Sequence, residues 1–310
     1  VTGLLRIGTR GSPLALAQSR WVRAALEVHH PTLQVELVTI KTAGDRFVDQ
    51  PLSTLGGKGL FVKEIEDALV AGHVDCAVHS MKDVPTDLAS GLVIAATPAR
   101  EDPRDVLLGR AVTTLHDLPR AARLGTSSLR RMALVRAARP DVEVIPLRGN
   151  VDTRLRKLDA GQVDAIVVAA AGLRRLGVER ADASPLDPDT FIPAIGQGVL
   201  AIESRDDAVR TFCAPLDRTD TRVAVDAERA FLRRVGGSCR TPLAAHAVVA
   251  AGSVTLRALI ASPDGTRVLR GERIGSVADA ARLGEELAAE LLARGGAAIL
   301  AALHETSDAG

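Results

Sequence analysis

The chain has no tyrosine, one tryptophan and five phenylalanines, so aromatic residues make up only 2% of its 310 positions. Proteins that grip single-stranded nucleic acid stack bases on aromatic rings, and this scarcity argues against that function. Net charge is nearly absent too. The 39 basic residues face 38 acidic ones, and no global field draws the chain to nucleic acid or to a membrane surface. Cysteine is scarce: Cys76, Cys213 and Cys239 are widely spaced, odd in number and form no C-x-x-C. A disulfide framework is not expected, and a reducing compartment fits better. The seven histidines make no H-E-x-x-H and no paired spacing with cysteine, so no metal site is expected. Long apolar runs are missing as well. The clearest spans Ala165 to Leu173, far short of the ~20 residues a membrane helix needs. Val1 to Arg10 carries arginines early and no apolar leader core. These absences together predict a cytoplasmic protein that binds neither nucleic acid nor membrane.

What is present is ordinary globular material, 46% hydrophobic and 25% charged, in a length that suits two or three domains. The first ~98 residues alternate strand and helix, the doubly wound α/β pattern. Leu4 to Gly8 reads as a strand, and Ser12 with Pro13 reads as a helix start. Val35 to Ile40 is a second strand, and Thr42 to Gly59 a long loop. Phe61, Ile65, Ala68 and Leu69 mark a helix face. Val74 to Val78 and Leu92 to Ala96 are further strands. Ala99 to Arg104 is a polar break and a candidate hinge, after which the alternation restarts. Helices are expected from Ser127 or Ser128 and from Val151 to Leu158, with strands at Val142 to Leu147 and Ala165 to Ala169. Beyond Pro193 the texture becomes α+β. Val223 to Val235 is a helix, Ala245 to Arg273 alternates around a Pro263-Asp264-Gly265 hairpin signal, and Val277 to Leu292 is an Ala/Leu helix.

Four polar corners stand at strand ends, where open α/β sheets place their chemistry. His79-Ser80-Met81-Lys82-Asp83-Val84-Pro85 sets a cation beside a carboxylate. Thr9-Arg10-Gly11-Ser12 offers an arginine and a hydroxyl at a helix start, which suits an anion, though taken alone ordinary capping beside a surface arginine is the better reading. Gly125-Thr126-Ser127-Ser128-Leu129-Arg130-Arg131 is harder to explain by capping, because arginines in a first turn oppose the helix dipole. A carboxylate or phosphate ligand would satisfy them. Leu147-Arg148-Gly149-Asn150 ends another strand, with Arg154 one turn into the next helix and Arg174 and Arg175 after the strand at 165–169.

The glycine motifs are less specific. Gly56-Gly57-Lys58-Gly59 lacks the Ser or Thr after lysine that a Walker loop requires, and reads as a Gly-hinged loop carrying one cation. Gly196-Gln197-Gly198-Val199-Leu200-Ala201 fits a dinucleotide fingerprint but follows no clean strand. His79 reads as a packed strand histidine, and Cys76 and Cys213 as core. Cys239, in Gly236-Gly237-Ser238-Cys239-Arg240-Thr241-Pro242, lies on a loop beside an arginine that lowers a thiol pKa.

Taken in order along the chain, these motifs resemble the porphobilinogen deaminase (hydroxymethylbilane synthase) family over nearly the whole length. Glu228-Arg229, ahead of the Cys239 loop, belongs to the match. The resemblance implies a transferase of porphyrin biosynthesis that condenses four porphobilinogen molecules head to tail, with release of ammonia, to a linear tetrapyrrole. It implies a dipyrromethane cofactor held by a cysteine thioether, at Cys239 here, and Asp83 as the catalytic carboxylate. The cofactor-binding groups then fall on Ser12, Lys82, Asp83, Thr126, Ser128, Arg130, Arg131 and Arg148. The substrate-binding groups fall on Arg10, Ser12, Lys58, Arg148, Arg154 and Arg175. No metal is implied, and a monomer is expected. The implied fold is α/β, with two periplasmic-binding-protein-like doubly wound domains plus a small C-terminal α+β domain. Its boundaries would be 1–98 with 199–217, then 99–198, then 218–310 carrying the cofactor cysteine. One departure is Thr54, where family members often carry a second loop lysine; Arg46 is a candidate substitute. The competing class is a non-catalytic, hinged anion-binding protein. It accounts for the arginines but not for Cys239 on its loop or Asp83 among groups for anions. A dinucleotide enzyme is a weaker third reading.

Overall fold

The computed structural model describes residues 3–46, 62–110, 112–205, 209–237 and 241–308. The chain opens with strand β1 (Leu4–Thr9), helix α1 (Pro13–His29), β2 (Gln34–Thr39), a single turn α2 (Ala43–Arg46) and α3 (Lys63–Val70). β3 (Cys76–Ser80) runs into a 3-10 turn, Met81–Asp83, and β4 (Leu92–Ala96) follows. Next come β5 (Asp105–Gly109), β6 (Arg123–Gly125), α4 (Leu129–Ala138), β7 (Glu143–Ile145), α5 (Val151–Asp159), β8 (Ala165–Ala169), α6 (Ala170–Arg175) and β9 (Ala183–Pro185). The last third holds β10 (Leu200–Arg205), α7 (Val209–Cys213), α8 (Thr219–Val235), β11 (Leu243–Ala250), β12 (Ser253–Ala261), β13 (Val268–Ser276), α9 (Ala280–Leu291) and α10 (Ala297–Asp308).

These elements form two compact units. The first comprises residues 1–101, 175–177 and 198–222, and the second the remainder. In the first, the sheet order is β2-β1-β3-β10-β4. β1 pairs in parallel with β2 and β3, whereas β10 is antiparallel to both its neighbours. Helix α1 begins as its sequence demands: the Ser12 hydroxyl accepts from Ala15 N at 3.3 Å, and Pro13 fills the first position, where no N–H is needed. Val22 and Leu26 then pack with Leu5, Ile7, Cys76, Val78 and Ile202 on one side of the sheet. Ile65 and Leu69 of α3 pack with Val74, Ala77 and Leu92 on the other.

The second unit repeats this plan. Its first sheet has the order β7-β6-β8-β5-β9, with β6 parallel to β7 and β8, and β5 antiparallel to β8 and β9. In both sheets the antiparallel strand is the first one laid down after the chain enters the unit from the other. β11, β12 and β13 form a separate antiparallel meander. It buries Ala245, Leu256, Ala258 and Ile260 together with Phe231 of α8 and Leu283, Leu287 and Leu291 of α9. Ala244, Leu259 and Ala261 point the other way, into the cluster of Leu124, Val135 and Phe191. The architecture is thus the expected one of two doubly wound sheets and a small C-terminal α+β layer.

Local expectations shift in three places. The strand expected at 74–78 runs from Cys76 to Ser80, because His79 and Ser80 pair with Ala201 and Leu200 of β10. That partner lies far along the chain and leaves no local trace. The loop expected at 42–59 contains one helical turn at Ala43–Arg46, and its remainder falls outside the described residues, as does Phe61. Gly196 and Gly198 both have positive φ (70° and 85°) and lead into strand β10, not into a helix, so the dinucleotide reading fails.

Gly284 of α9 shows how tightly the last layer is closed. A Cβ there would overlap the carbonyl oxygen of Ala227 on α8 and stand 2.9 Å from Phe231 N. Alanine gains about 1 kcal/mol of helix propensity over glycine, but overpacking costs about 1–3 kcal/mol. Gly284→Ala should therefore destabilise the protein in urea unfolding. Unchanged or higher stability would mean that α8 and α9 can move apart.

Candidate active site

In the first unit, β1 and β3 are adjacent and parallel, so their C-terminal ends deliver Arg10–Ser12 and Lys82–Asp83 to the same edge of the sheet. Gln18 of α1 ties the two corners together, its Nε2 donating to Ser80 Oγ at 3.0 Å. Met81 is buried and anchors the 3-10 turn, its N–H donating to Val199 O at 2.9 Å. Lys82 is half-buried and Asp83 exposed. Ser12 spends one acceptor site on Ala15 N and keeps its hydroxyl proton as a donor. Arg175 also belongs to this unit. Its Nη2 donates to Gly198 O at 2.6 Å, and burial brings its guanidinium down to about 10, against the pull of Glu101. Lys58 and Thr54 lie outside the described residues.

In the second unit, the turn after β6 is held by its own hydroxyls. Thr126 Oγ1 accepts from Ser128 N at 3.2 Å, Ser127 Oγ donates to Leu147 O at 3.1 Å, and Ser128 caps α4 by accepting from Arg131 N at 3.4 Å. Arg130 and Arg131 are buried, at 4% and 6% exposure. Their counter-charge comes from inside the protein, at Asp105, the first residue of β5. Arg130 Nη1 donates to Asp105 Oδ2 at 2.7 Å. Arg131 donates to Oδ1 through Nε at 3.0 Å and Nη2 at 2.7 Å, and its Nη1 reaches Val167 O at 2.9 Å. Gln197 adds a 3.1 Å bond to the same carboxylate. Burial raises the Asp105 carboxyl, but the two arginines outweigh it and hold it at about 2. The dipole argument for an external ligand at these two arginines is thereby corrected: their cost at the helix start is offset by Asp105. The signal that could have found this residue is a lone acid heading the apolar strand Val106-Leu107-Leu108.

Two further arginines lie nearby. Arg148 sits at the end of the segment after β7, and Arg154 lies in α5, where its Nε donates to Gly149 O at 2.9 Å. Burial, reinforced by the positive charges of Arg131 and Arg148, brings the Arg154 guanidinium down to about 10. Arg130 and Arg131 thus share Asp105, and Arg154 lies near enough to Arg131 and Arg148 to feel their charge. Fixed cations held this close suit a ligand bearing carboxylates. The structure therefore groups Thr126, Ser128 and these four arginines in one unit, and Arg10, Ser12, Lys82, Asp83 and Arg175 in the other.

Cys239 and its two neighbours lie outside the described residues, but the ends of their segment are well anchored. α8 stops at Val235 and β11 starts at Leu243. Gly236 has φ +72°, and a Cβ on Gly237 would collide with Leu243. Glu228, fully buried on α8, accepts from Ala247 N of β11 at 2.8 Å and from Gly196 N at 2.7 Å. The helix before the cysteine and the strand after it are thereby pinned together. Among the described residues no group of three or more His, Cys, Asp or Glu could hold a metal ion, and no helix is long and apolar enough to cross a membrane. Cys76 and Cys213 are buried, and the contact between them, with burial, pushes the Cys76 thiol well up.

Comparison with known proteins decides the family. Residues 5–212 match the family model described as porphobilinogen deaminase, dipyromethane cofactor binding domain, and residues 223–293 match the C-terminal domain of the same family. The chain belongs to the porphobilinogen deaminase family. It is 52% identical over 303 residues to the porphobilinogen deaminase of Syntrophobacter fumaroxidans, covering 97% of this chain and 98% of that one. It is 52% identical over 299 residues to that of Roseiflexus castenholzii, covering 96% and 98%. Among solved structures it is similar to the methionine-binding protein MetQ, with a TM-score of 0.45 at 13% identity, covering 74% of this chain and 96% of that one. The arginines and hydroxyls at Thr126, Ser128, Arg130, Arg131 and Arg154 are donors of the kind that a carboxylate-bearing cofactor takes, so the residues present fit such a group.

Asp105 gives a stability test. Its folded pKa of about 2 lies below the unfolded value near ~3.9, so its contribution is present above pH ~4 and is lost as pH falls toward 2. Asp105→Asn leaves Arg130 and Arg131 buried without a counter-charge and should cost about 3–5 kcal/mol at neutral pH. Denaturation curves should show the gap to wild type narrowing below pH ~4. A gap that does not change with pH would mean that the carboxylate is not the stabilising species.

Proposed function

We propose that this protein is a hydroxymethylbilane synthase: it joins four porphobilinogen molecules head to tail, releasing ammonia at each joining, and yields the linear tetrapyrrole hydroxymethylbilane. The observation that carries this reading is the family match over both segments of the chain, at about half identity to named deaminases. The neighbouring arginines of the second unit support it, since every substrate added brings two carboxylates. A non-catalytic anion binder would need the arginines but not a cysteine between the helix and strand that Glu228 joins.

In this reading Cys239 carries the dipyrromethane through a thioether, and the bound group supplies the pyrrole end from which the chain grows. Ser12, Lys82, Thr126, Ser128 and Arg148 hold its carboxylates. Arg130 and Arg131 add charge, because Asp105 already occupies the paired N–H face of Arg131. Arg10, Lys58, Arg154 and Arg175, with Arg148 and Ser12, receive the incoming substrate and the growing chain. Arg148 and Arg154 carry most of the pairing, since among the described residues the groups that shift Arg154 are other arginines. Asp83 faces the reacting ring. Loss of ammonia leaves a cationic pyrrole species, and a fixed carboxylate beside the ring nitrogen lowers the energy of that charge. The same carboxylate can take up or return a proton at the nitrogen. The near-balanced charge fits a monomer working in the cytoplasm, and size-exclusion chromatography with light scattering checks the monomer.

Intact mass tests the cofactor. Wild-type protein should be heavier than its sequence by two linked pyrrole units, and Cys239→Ser should match the bare sequence. Active wild-type enzyme at the bare mass overturns the thioether.

Single-turnover ring addition on pre-assembled holoenzyme tests Asp83. Asp83→Asn keeps the size and loses the charge, and should slow the step by about a hundredfold or more. Addition at the wild-type rate would leave Asp83 as a structural neighbour of Lys82 only.

A further inference from the structure

Glu66, His79 and Glu203 bring two carboxylates and an imidazole into the layer between the first sheet and α3. Side chains alternate along β3. Cys76 and Val78 pack in the cluster beneath α1, whereas Ala77 packs with Ile65 and Leu69 of α3. His79 shares the Ala77 side, and Glu203 of β10 stands opposite Ala77 in the ladder. Glu203 is fully buried and His79 is 5% exposed. His79 Nε2 lies 3.1 Å from Glu203 Oε2, in ion-pair range but not aligned as a hydrogen bond. Glu66 reaches in from α3. Burial first, and then the charge of Glu203, raise its carboxyl, against the Ala89 N–H and His79. Among the described residues, His79 Nε2, both Glu203 oxygens and Glu66 Oε1 have no aligned hydrogen-bond partner.

Apolar side chains of similar volume would fill such a layer at lower energetic cost. What the polar trio adds is register. β10 enters the sheet between β3 and β4, and its apolar residues Leu200 and Ile202 lie on one face. A slip of two residues would keep that face intact, so the apolar pattern alone does not forbid it. A slip that moves Glu203 from opposite Ala77 to opposite Asp75 would carry it away from His79 and leave both buried without each other, and the opposite slip would set the two side by side but take Val199 O off the Met81 N–H. The register in place also puts Val199 O on Met81 N–H, at the start of the turn that carries Lys82 and Asp83.

We propose that His79 and Glu203, backed by Glu66, are positioning residues: they lock the register of β10 on β3 and so fix the turn that presents Lys82 and Asp83. The link to catalysis rests on the reading of Asp83 given above.

Holoenzyme variants test this by hydrogen–deuterium exchange over residues 76–84 and 198–205 together with steady-state kinetics. In Glu203→Gln the Met81 amide should exchange about tenfold faster or more. kcat should fall by about tenfold to a hundredfold, with KM within about twofold, as expected for a small displacement of a reacting group. The double variant His79→Leu/Glu203→Leu should stay folded, with Tm unchanged or raised, and still show both losses. Wild-type exchange and kcat in the folded double variant overturn the proposal. Should that variant not fold, wild-type values in Glu203→Gln overturn it equally. Asp83→Asn separates the two readings, since it should slow ring addition with no change in exchange. Normal ring addition in Asp83→Asn, with faster Met81 exchange in Glu203→Gln, leaves the register lock standing and removes the role given to Asp83.

Discussion

The chemistry available to the second unit depends on one buried carboxylate. Asp105 holds Arg130 at 2.7 Å and Arg131 through two bonds, and takes a further bond from Gln197. Two guanidinium groups at the start of one helix, shielded from water, repel each other and the helix dipole. A single acid between them turns that liability into a fixed arrangement.

Asp105 serves two arginines, while Arg148 and Arg154 stand near enough for Arg154 to feel Arg131 and Arg148 as repulsive charges. In the first unit the half-buried Arg175 sets its Nη2 on the Gly198 carbonyl, and partial burial brings its guanidinium down to about 10 against the charge of Glu101.

Much of this was legible in the sequence. Ser12 with Pro13, Ser128 ahead of α4, and the turn at Pro263-Asp264-Gly265 behave as local chemistry requires: Asp264 accepts from Thr266 N at 3.1 Å, and Gly265 has φ +75°. Strand-end arginines such as Arg148 were visible because a cation is out of place there. Two kinds of information were not visible. Pairing between distant segments leaves no local trace, which is why β3 extends to Ser80 and why β10 could not be placed in the first sheet from periodicity alone. Buried compensation is equally silent: the arginines after Ser128 looked unsatisfied because Asp105 lies in another strand.

The insertion of β10 between β3 and β4 has a consequence for how the protein is made. A ribosome releases the chain from its N-terminus, so β1 to β4 emerge long before β10. At ~5–20 residues per second, roughly 5–20 s separate the appearance of Ala96 from that of Arg205. During that interval β3 and β4 have no shared neighbour, and their inner edges are unpaired backbone, the feature that invites aggregation. The first sheet is therefore completed only after the whole of the second sheet has been synthesised. In the cell, its nascent first hundred residues are a natural client for chaperones that shield open strands.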